Sequence, residues 1–246
     1  MKKLTFDISS AGLHILAMAL MLCDHLWATV TPGNNWLTMI GRLAFPIFAF
    51  LMAEGFRRTG NRKRYALRLL TFALLSELPF NLMAHGSVIY PFHQNVLWTF
   101  LLGFWMMHLN EKAKNAPLWR RILRGTSTFL LAMVLGTVLM VDYFGAGVAM
   151  VLVFYFFREK KWLCLLGQLI ARYWLNAEIL SGLYFEVTVL GHTLEIVQQS
   201  LAVLALIPIW LYRGRKGYSS KWFQQLCYWF YPAHMLLLWL IRYITL

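Results

Sequence analysis

Asp24 and His25 stand side by side at the end of the apolar string Ala17-Met-Ala-Leu-Met-Leu-Cys-Asp-His. A carboxylate or an imidazole in hydrocarbon is costly, so such a pair points to function before it points to packing. Imidazole takes and gives a proton near neutral pH. More groups of this kind follow along the chain. Arg42 opens a second apolar run, and Glu54 lies near its other end. Ser76, Glu77 and Asn81 fall in the second half of a third run, and His93, Gln94 and Asn95 open a fourth. Asp142 and Tyr143 occupy a turn between two further runs. His234 lies mid-way along the last, in Phe230-Tyr-Pro-Ala-His, where Pro232 frees a backbone carbonyl.

These residues need apolar elements to hold them, and the composition supplies little else. The chain has 246 residues, 60% hydrophobic and 13% charged. Soluble domains are about 25% charged, so a water-soluble globular protein and a disordered chain are both excluded. The reading is an all-α, polytopic transmembrane helix bundle forming a single domain over residues 1–246. Charges, Gly/Pro punctuation and interfacial aromatics place nine spans near 10–30, 37–56, 65–84, 95–109, 123–141, 144–157, 162–177, 193–212 and 223–244. Helix is expected throughout. The sixth and seventh spans are short and are read as tilted, re-entrant or shielded by neighbours. Lys2 and Lys3 precede the first run as in a signal peptide, but Asp24 and His25 interrupt it, so it reads as a retained span.

The net charge of +13 would suggest nucleic acid in a soluble protein, but here topology explains it. With the N-terminus inside and the C-terminus outside, 20 of the 23 Lys and Arg residues fall on inner segments or adjoining helix starts. Only Arg42, Arg172 and Arg242 are left toward the other side, and no nucleic-acid partner is expected. The same arrangement brings Asp24, Arg42, Glu77, Asn95 and Asp142 to one depth, which reads as a polar chamber opening outward. Plainer roles stay open for its members. Arg42 could neutralise Asp24 or Glu77, Asn95 and Thr99 could bond neighbouring helices, and Glu54 could snorkel beside Arg57 and Arg58 or line a passage from inside. His14 and His108 read as structural, and His85 and His192 as solvated. Cys23, Cys164 and Cys227 form no CxxC, so no metal site is expected. No GxSxG, HExxH, Walker or GxGxxG pattern offers soluble-type chemistry.

Several strings match one family together. They are Ala17 to His25, Gly41-Arg-Leu-Ala-Phe-Pro through Phe56, Tyr65-Ala-Leu-Arg-Leu-Leu, and Ser76-Glu-Leu-Pro-Phe-Asn. Asn95-Val with Thr99, Asp142-Tyr143 with Gly147, and Tyr231-Pro-Ala-His-Met fit later blocks. The chain resembles the TraX family, named for the conjugation protein that acetylates the N-terminus of F pilin. The resemblance implies a membrane-embedded acetyltransferase using acetyl-CoA, multi-pass in the plasma or inner membrane. It puts His25 in the catalytic role, as base or acetyl carrier, and His234 in a supporting one. Asp24 then sets the environment of His25, Arg42 or Asn95 faces the oxyanion, and Glu77 completes the set. The acceptor would be a protein N-terminus or a small molecule, reached from the outer side.

Acetyl-CoA is anionic and cytoplasmic, and the second inner segment supplies Arg57, Arg58 and Arg64, followed by Arg68. These could grip its phosphates, although topology alone would also place cations here. Glu54 lies twelve residues past Arg42, roughly 18 Å along a straight helix, about the length of a pantetheine arm. The competing reading is a proton-coupled secondary transporter that uses Asp24, His25 and Glu77 as its relay. The paired broken helices of an inverted repeat are not evident in the sequence.

Overall fold

The computed structural model describes residues 7–189 and 192–245. The chain is mostly helical: α1 (Ser10–Thr29), α2 (Asn35–Gly41), α3 (Ala44–Arg58), α4 (Arg62–His85), α5 (Val96–Glu111), α6 (Leu118–Val138) and α7 (Phe144–Phe156) come first. Then follow α8 (Trp162–Tyr173), a π-helix (Trp174–Leu180), strands β1 (Tyr184–Val189) and β2 (His192–Val197), a 3-10 helix (Gln198–Ala205), α9 (Leu206–Leu211) and α10 (Lys221–Thr245). Four segments are helical and apolar over enough length to cross a bilayer: 10–29, 35–58, 62–85 and 118–138. Leu74 and Leu78 on α4, and Leu130, Val134 and Val138 on α6, are exposed, as expected of helices that face lipid. The chain is a membrane protein.

It folds as two compact units, Met1–Leu51 with Asn176–Leu246, and Met52–Leu175. In the first, α1 packs on α2 and on α10 around Leu13, Ala17, Ile47 and Met235. In the second, α7 is the central element. Its ten consecutive residues Gly145–Phe154 are all buried, so the shortness of this helix is the shortness of a core helix shielded by neighbours. Close approach makes that possible. A Cβ on Gly136 would meet the Gly145 backbone at 2.7 Å, so α6 and α7 touch through their glycines.

Three expectations are corrected. Helix does not run throughout: β1 and β2 form an antiparallel hairpin with Glu186 opposite Glu195 and Thr188 opposite Thr193. Polar and apolar residues alternate over 185–189 and 193–196, and the run 184–197 is rich in Val and Thr, which favours a pleated strand over a helix. The eighth span, expected from 193, is therefore strand at its start and becomes helical only at Gln198. The second span is also not continuous. Its helix stops at Gly41 and resumes at Ala44, with Arg42 and Leu43 between. Pro46 lies in the first turn of α3, where its missing N–H costs nothing. The straight-helix measure from Arg42 to Glu54 is lost with that break.

Candidate functional site

The first unit joins the two histidines that the sequence put 209 residues apart. His25 on α1 and His234 on α10 meet through Nδ1 and Nε2 at 2.7 Å. Their rings are within 10° of parallel with centroids 4.9 Å apart, which is the spacing of two rings meeting edge to edge. His234 Nδ1 lies 2.6 Å from the Phe230 carbonyl oxygen one turn earlier. A carbonyl can only accept, so in the neutral ring the proton of His234 is on Nδ1 and its Nε2 is an acceptor. The bond at 2.7 Å then has His25 Nδ1 as donor, which leaves His25 Nε2 with a free lone pair. The backbone of α10 thus fixes both tautomers in series. His234 is buried, and the Phe230 ring is nearly parallel to it, 12° apart and 4.7 Å away. Thr29 donates to the His25 carbonyl at 2.6 Å, which anchors the end of α1.

Asp24 faces elsewhere, because adjacent positions on a helix differ by about 100°. Its Oδ1 accepts from Arg42 Nη2 at 2.6 Å and from Thr38 Oγ1 at 2.7 Å. Thr38 Oγ1 also accepts from Arg42 Nη2 at 2.7 Å. Arg42 Nη1 donates to Gln199 Oε1 at 3.2 Å, and Gln199 Nε2 donates to Asn176 Oδ1 at 3.0 Å. Gly41 lets this happen. A Cβ there would lie 2.5 Å from Asp24 Cβ and 2.9 Å from its Cα, so α2 rests directly on α1 at the carboxylate. The helix break at Arg42 then frees that side chain to close on Asp24. Of the two partners weighed for Arg42, the structure gives Asp24.

The second unit holds the rest of the expected set at its two ends. At one end, Glu77 Oε2 accepts from Asn95 Nδ2 and, at 3.0 Å, from Trp98 Nε1. Asn95 also caps α5, accepting from Leu97 N at 3.1 Å, and donates to the Ala73 carbonyl at 2.9 Å. This is a cross-helix clamp. Glu77 Oε1 is buried with no hydrogen-bond partner. Beside it, His93 Nε2 lies 3.4 Å from Asp142 Oδ1. The loop that carries His93 is stitched to the turn that carries Asp142 by Gln94 N to the Met140 carbonyl at 2.8 Å and Asp142 N to the Gln94 carbonyl at 2.9 Å. Asp142 holds the His93 imidazole above its usual pKa by that hydrogen bond and by its charge, against the opposing effect of burial, with Glu77 adding to the rise. Of the residues assigned to one polar chamber, Asp24 and Arg42 lie in the first unit, and Glu77, Asn95 and Asp142 in the second.

At the other end of this unit, Glu54 is 7% exposed and accepts from Arg58 Nε at 2.5 Å and from Arg158 Nη2 at 3.2 Å. The Arg158 pair ties the end of α3 to the loop after α7. Arg57 lines a nearby cavity, Arg68 lies over the Tyr65 ring at 5.5 Å, and Arg64, in the first turn of α4, donates its N–H to Asn61 Oδ1 at 2.8 Å. The basic run thus divides, with Arg57 in the cavity wall and Arg58 bound to Glu54. Among the described residues no group of three or more His, Cys, Asp and Glu is placed to hold a metal ion.

Gln199, Asn176, Thr38 and Phe230 were not singled out from sequence. Gln199 and Asn176 carried a readable signal, being uncharged polar residues within apolar runs. Asn176 lies on the π-helix, an irregularity common at functional sites.

No solved structure matches the chain. It is 25% identical over 123 residues to a protein of Dichelobacter nodosus described as a probable fimbrial assembly protein FimC, serogroup H1. The match takes in 46% of this chain, which spans about half the length of that curated relative. The model of the family described as TraX protein matches residues 9–242, through every element from the N-cap of α1 to the last turn of α10. On that match, which carries Asp24, His25, Arg42 and His234 alike, the chain belongs to the TraX family.

Proposed function

We propose that the protein is a membrane-embedded acetyltransferase. It moves an acetyl group from cytoplasmic acetyl-CoA to an amine or hydroxyl acceptor presented from the outer side. The observation that carries this reading is the chain from the Phe230 carbonyl through His234 to His25, because it leaves one lone pair, on His25 Nε2, in a fixed direction. That nitrogen takes the proton as the acceptor's N or O attacks the thioester carbonyl carbon. The C–S bond then breaks, and the proton returns to the departing thiolate. The same lone pair would serve if His25 first carried the acetyl group itself. His234 stabilises the transient imidazolium by accepting from His25 Nδ1. Asp24 and Arg42 act as a positioning pair that holds α2 against α1 beside the base. The description of the relative as a fimbrial assembly protein is in keeping with a pilin-like N-terminal amine as acceptor. The reading includes about nine crossings of the cell membrane, with the N-terminus on the cytoplasmic side and the C-terminus outside.

Incubating the purified protein with labelled acetyl-CoA and cell extract tests the reading. Label should pass to an acceptor in proportion to enzyme. An enzyme that neither transfers label nor becomes acetylated, while folded, would rule it out.

A further inference from the structure

The final turns of α3, α5 and α7 and the first turns of α4 and α6 line a cavity of about 900 Å³ in the second unit. Ligand pockets commonly span roughly 300–1,000 Å³. Arg57, Arg62, Lys114 and Arg121 stand in its wall against one carboxylate, Glu111. Arg62 and Lys114 pair with Glu111 at 3.4 and 3.1 Å. Among the described residues, Arg57 and Arg121 form no ion pair with a carboxylate, whereas neighbouring Arg58 and Arg158 both close on Glu54. The fold therefore ties down some of the local cations and leaves two others facing one space. The lining is also aromatic. Tyr155 is held rigid by its hydroxyl, which donates to Glu111 Oε2 at 3.1 Å, and Phe129 and Phe156 stand beside it. A positive-inside bias places cations on one side of a membrane, but it does not require residues from three turns to converge on one cavity.

We infer that this cavity binds the phosphorylated nucleotide end of an acyl-coenzyme A, with Arg57 and Arg121 on the phosphates and the aromatic wall against the base. This rests on the acetyl-CoA reading and moves the donor site from the basic run 57–68 to residues on three segments. Arginine forks suit phosphate oxygens, and planar rings suit a purine face. An acidic phospholipid offers the same phosphate chemistry but no base for the rings.

Binding of free coenzyme A and adenosine 3′,5′-bisphosphate to the full chain in neutral-lipid nanodiscs tests the assignment without requiring transfer. Both should bind, and more weakly as salt rises. Arg57→Gln with Arg121→Gln should weaken coenzyme A about tenfold or more, since each arginine supplies charge-assisted bonds to phosphate oxygens. Arg213→Gln, a cation outside the cavity, should change it less than about twofold. Unchanged affinity in a double variant that melts like the parent overturns the assignment, as does a parent that binds neither probe. If phosphatidylglycerol in the disc displaces coenzyme A and the double variant loses that lipid preference, the cavity is a headgroup site and the nucleotide assignment fails. A parent that binds coenzyme A through these arginines yet never transfers acetyl sinks the acetyltransferase reading and leaves this one standing.

Discussion

At the scale of residues, the first unit shows how Gly41-Arg42 fits α2 against α1 at Asp24. Gly41 supplies the absence of a side chain and Arg42 the charge that the carboxylate requires. Gly41→Ala should destabilise the protein by about 1–3 kcal/mol, as overpacking does, because its Cβ would meet both backbone and side chain of Asp24. Detergent melting of the variant against the parent checks this; an unchanged midpoint would mean that α1 and α2 can separate freely. Asp24→Asn and Arg42→Gln should couple, with a double-mutant interaction of about 0.5–3 kcal/mol, and additivity would show that the pair contributes nothing as a pair. Asp24, His25, Arg42 and His234 were legible as candidates because each is a polar group where hydrocarbon was expected. Asp24 was one of two partners weighed for Arg42, but the contact of His25 with His234 was not legible, since α10 meets α1 across most of the chain and no spacing rule reaches that far. Gln199 and Asn176 escaped because an amide draws less attention than a charge, although a buried amide needs partners just as surely.

At the scale of elements, α1, α4, α6 and α7 follow from hydropathy and punctuation to within a few residues at most ends. The break between α2 and α3 does not, because a helix that stops for two residues inside an apolar run leaves the composition unchanged. The hairpin escaped for a different reason: its Val, Tyr and Leu content satisfied a hydropathy window while its alternation went unweighed. The loop before α5 carries a pH dependence that can be measured. Asp142 raises the pKa of His93, so folding favours the protonated imidazole. That stabilisation is fully present below the unfolded value of about 6.5 and is lost as pH rises through the raised folded value. His93→Gln should therefore lower the melting temperature most below about pH 6 and progressively less as pH rises. A penalty that grows with pH would mean that Asp142 does not govern this histidine.

At the scale of the whole molecule, the 20-to-3 partition of Lys and Arg was the strongest sequence evidence for a topology. In the second unit the ends of α3, α5 and α7 gather with the starts of α4 and α6 at one cavity, so successive helices there reverse direction. A reporter fused after Leu246 should be active only as an outer-side marker; a cytoplasmic signal there would reverse the direction from which acceptor and donor arrive. The central claim is that acetyl transfer runs through His25 Nε2, held in its tautomer by His234. The most direct test is the transfer rate of His25→Asn at saturating acetyl-CoA, beside His234→Asn and His14→Asn, in preparations that melt like the parent. His14 only donates to the Ser10 carbonyl at 2.8 Å, so His14→Asn controls for losing an intramembrane imidazole. The account predicts a loss of about 10²–10⁴ for His25→Asn, a smaller loss for His234→Asn, and a change of at most a few-fold for His14→Asn. Near-parental transfer by a folded His25→Asn would contradict it and return Asp24 and His25 to a packing role.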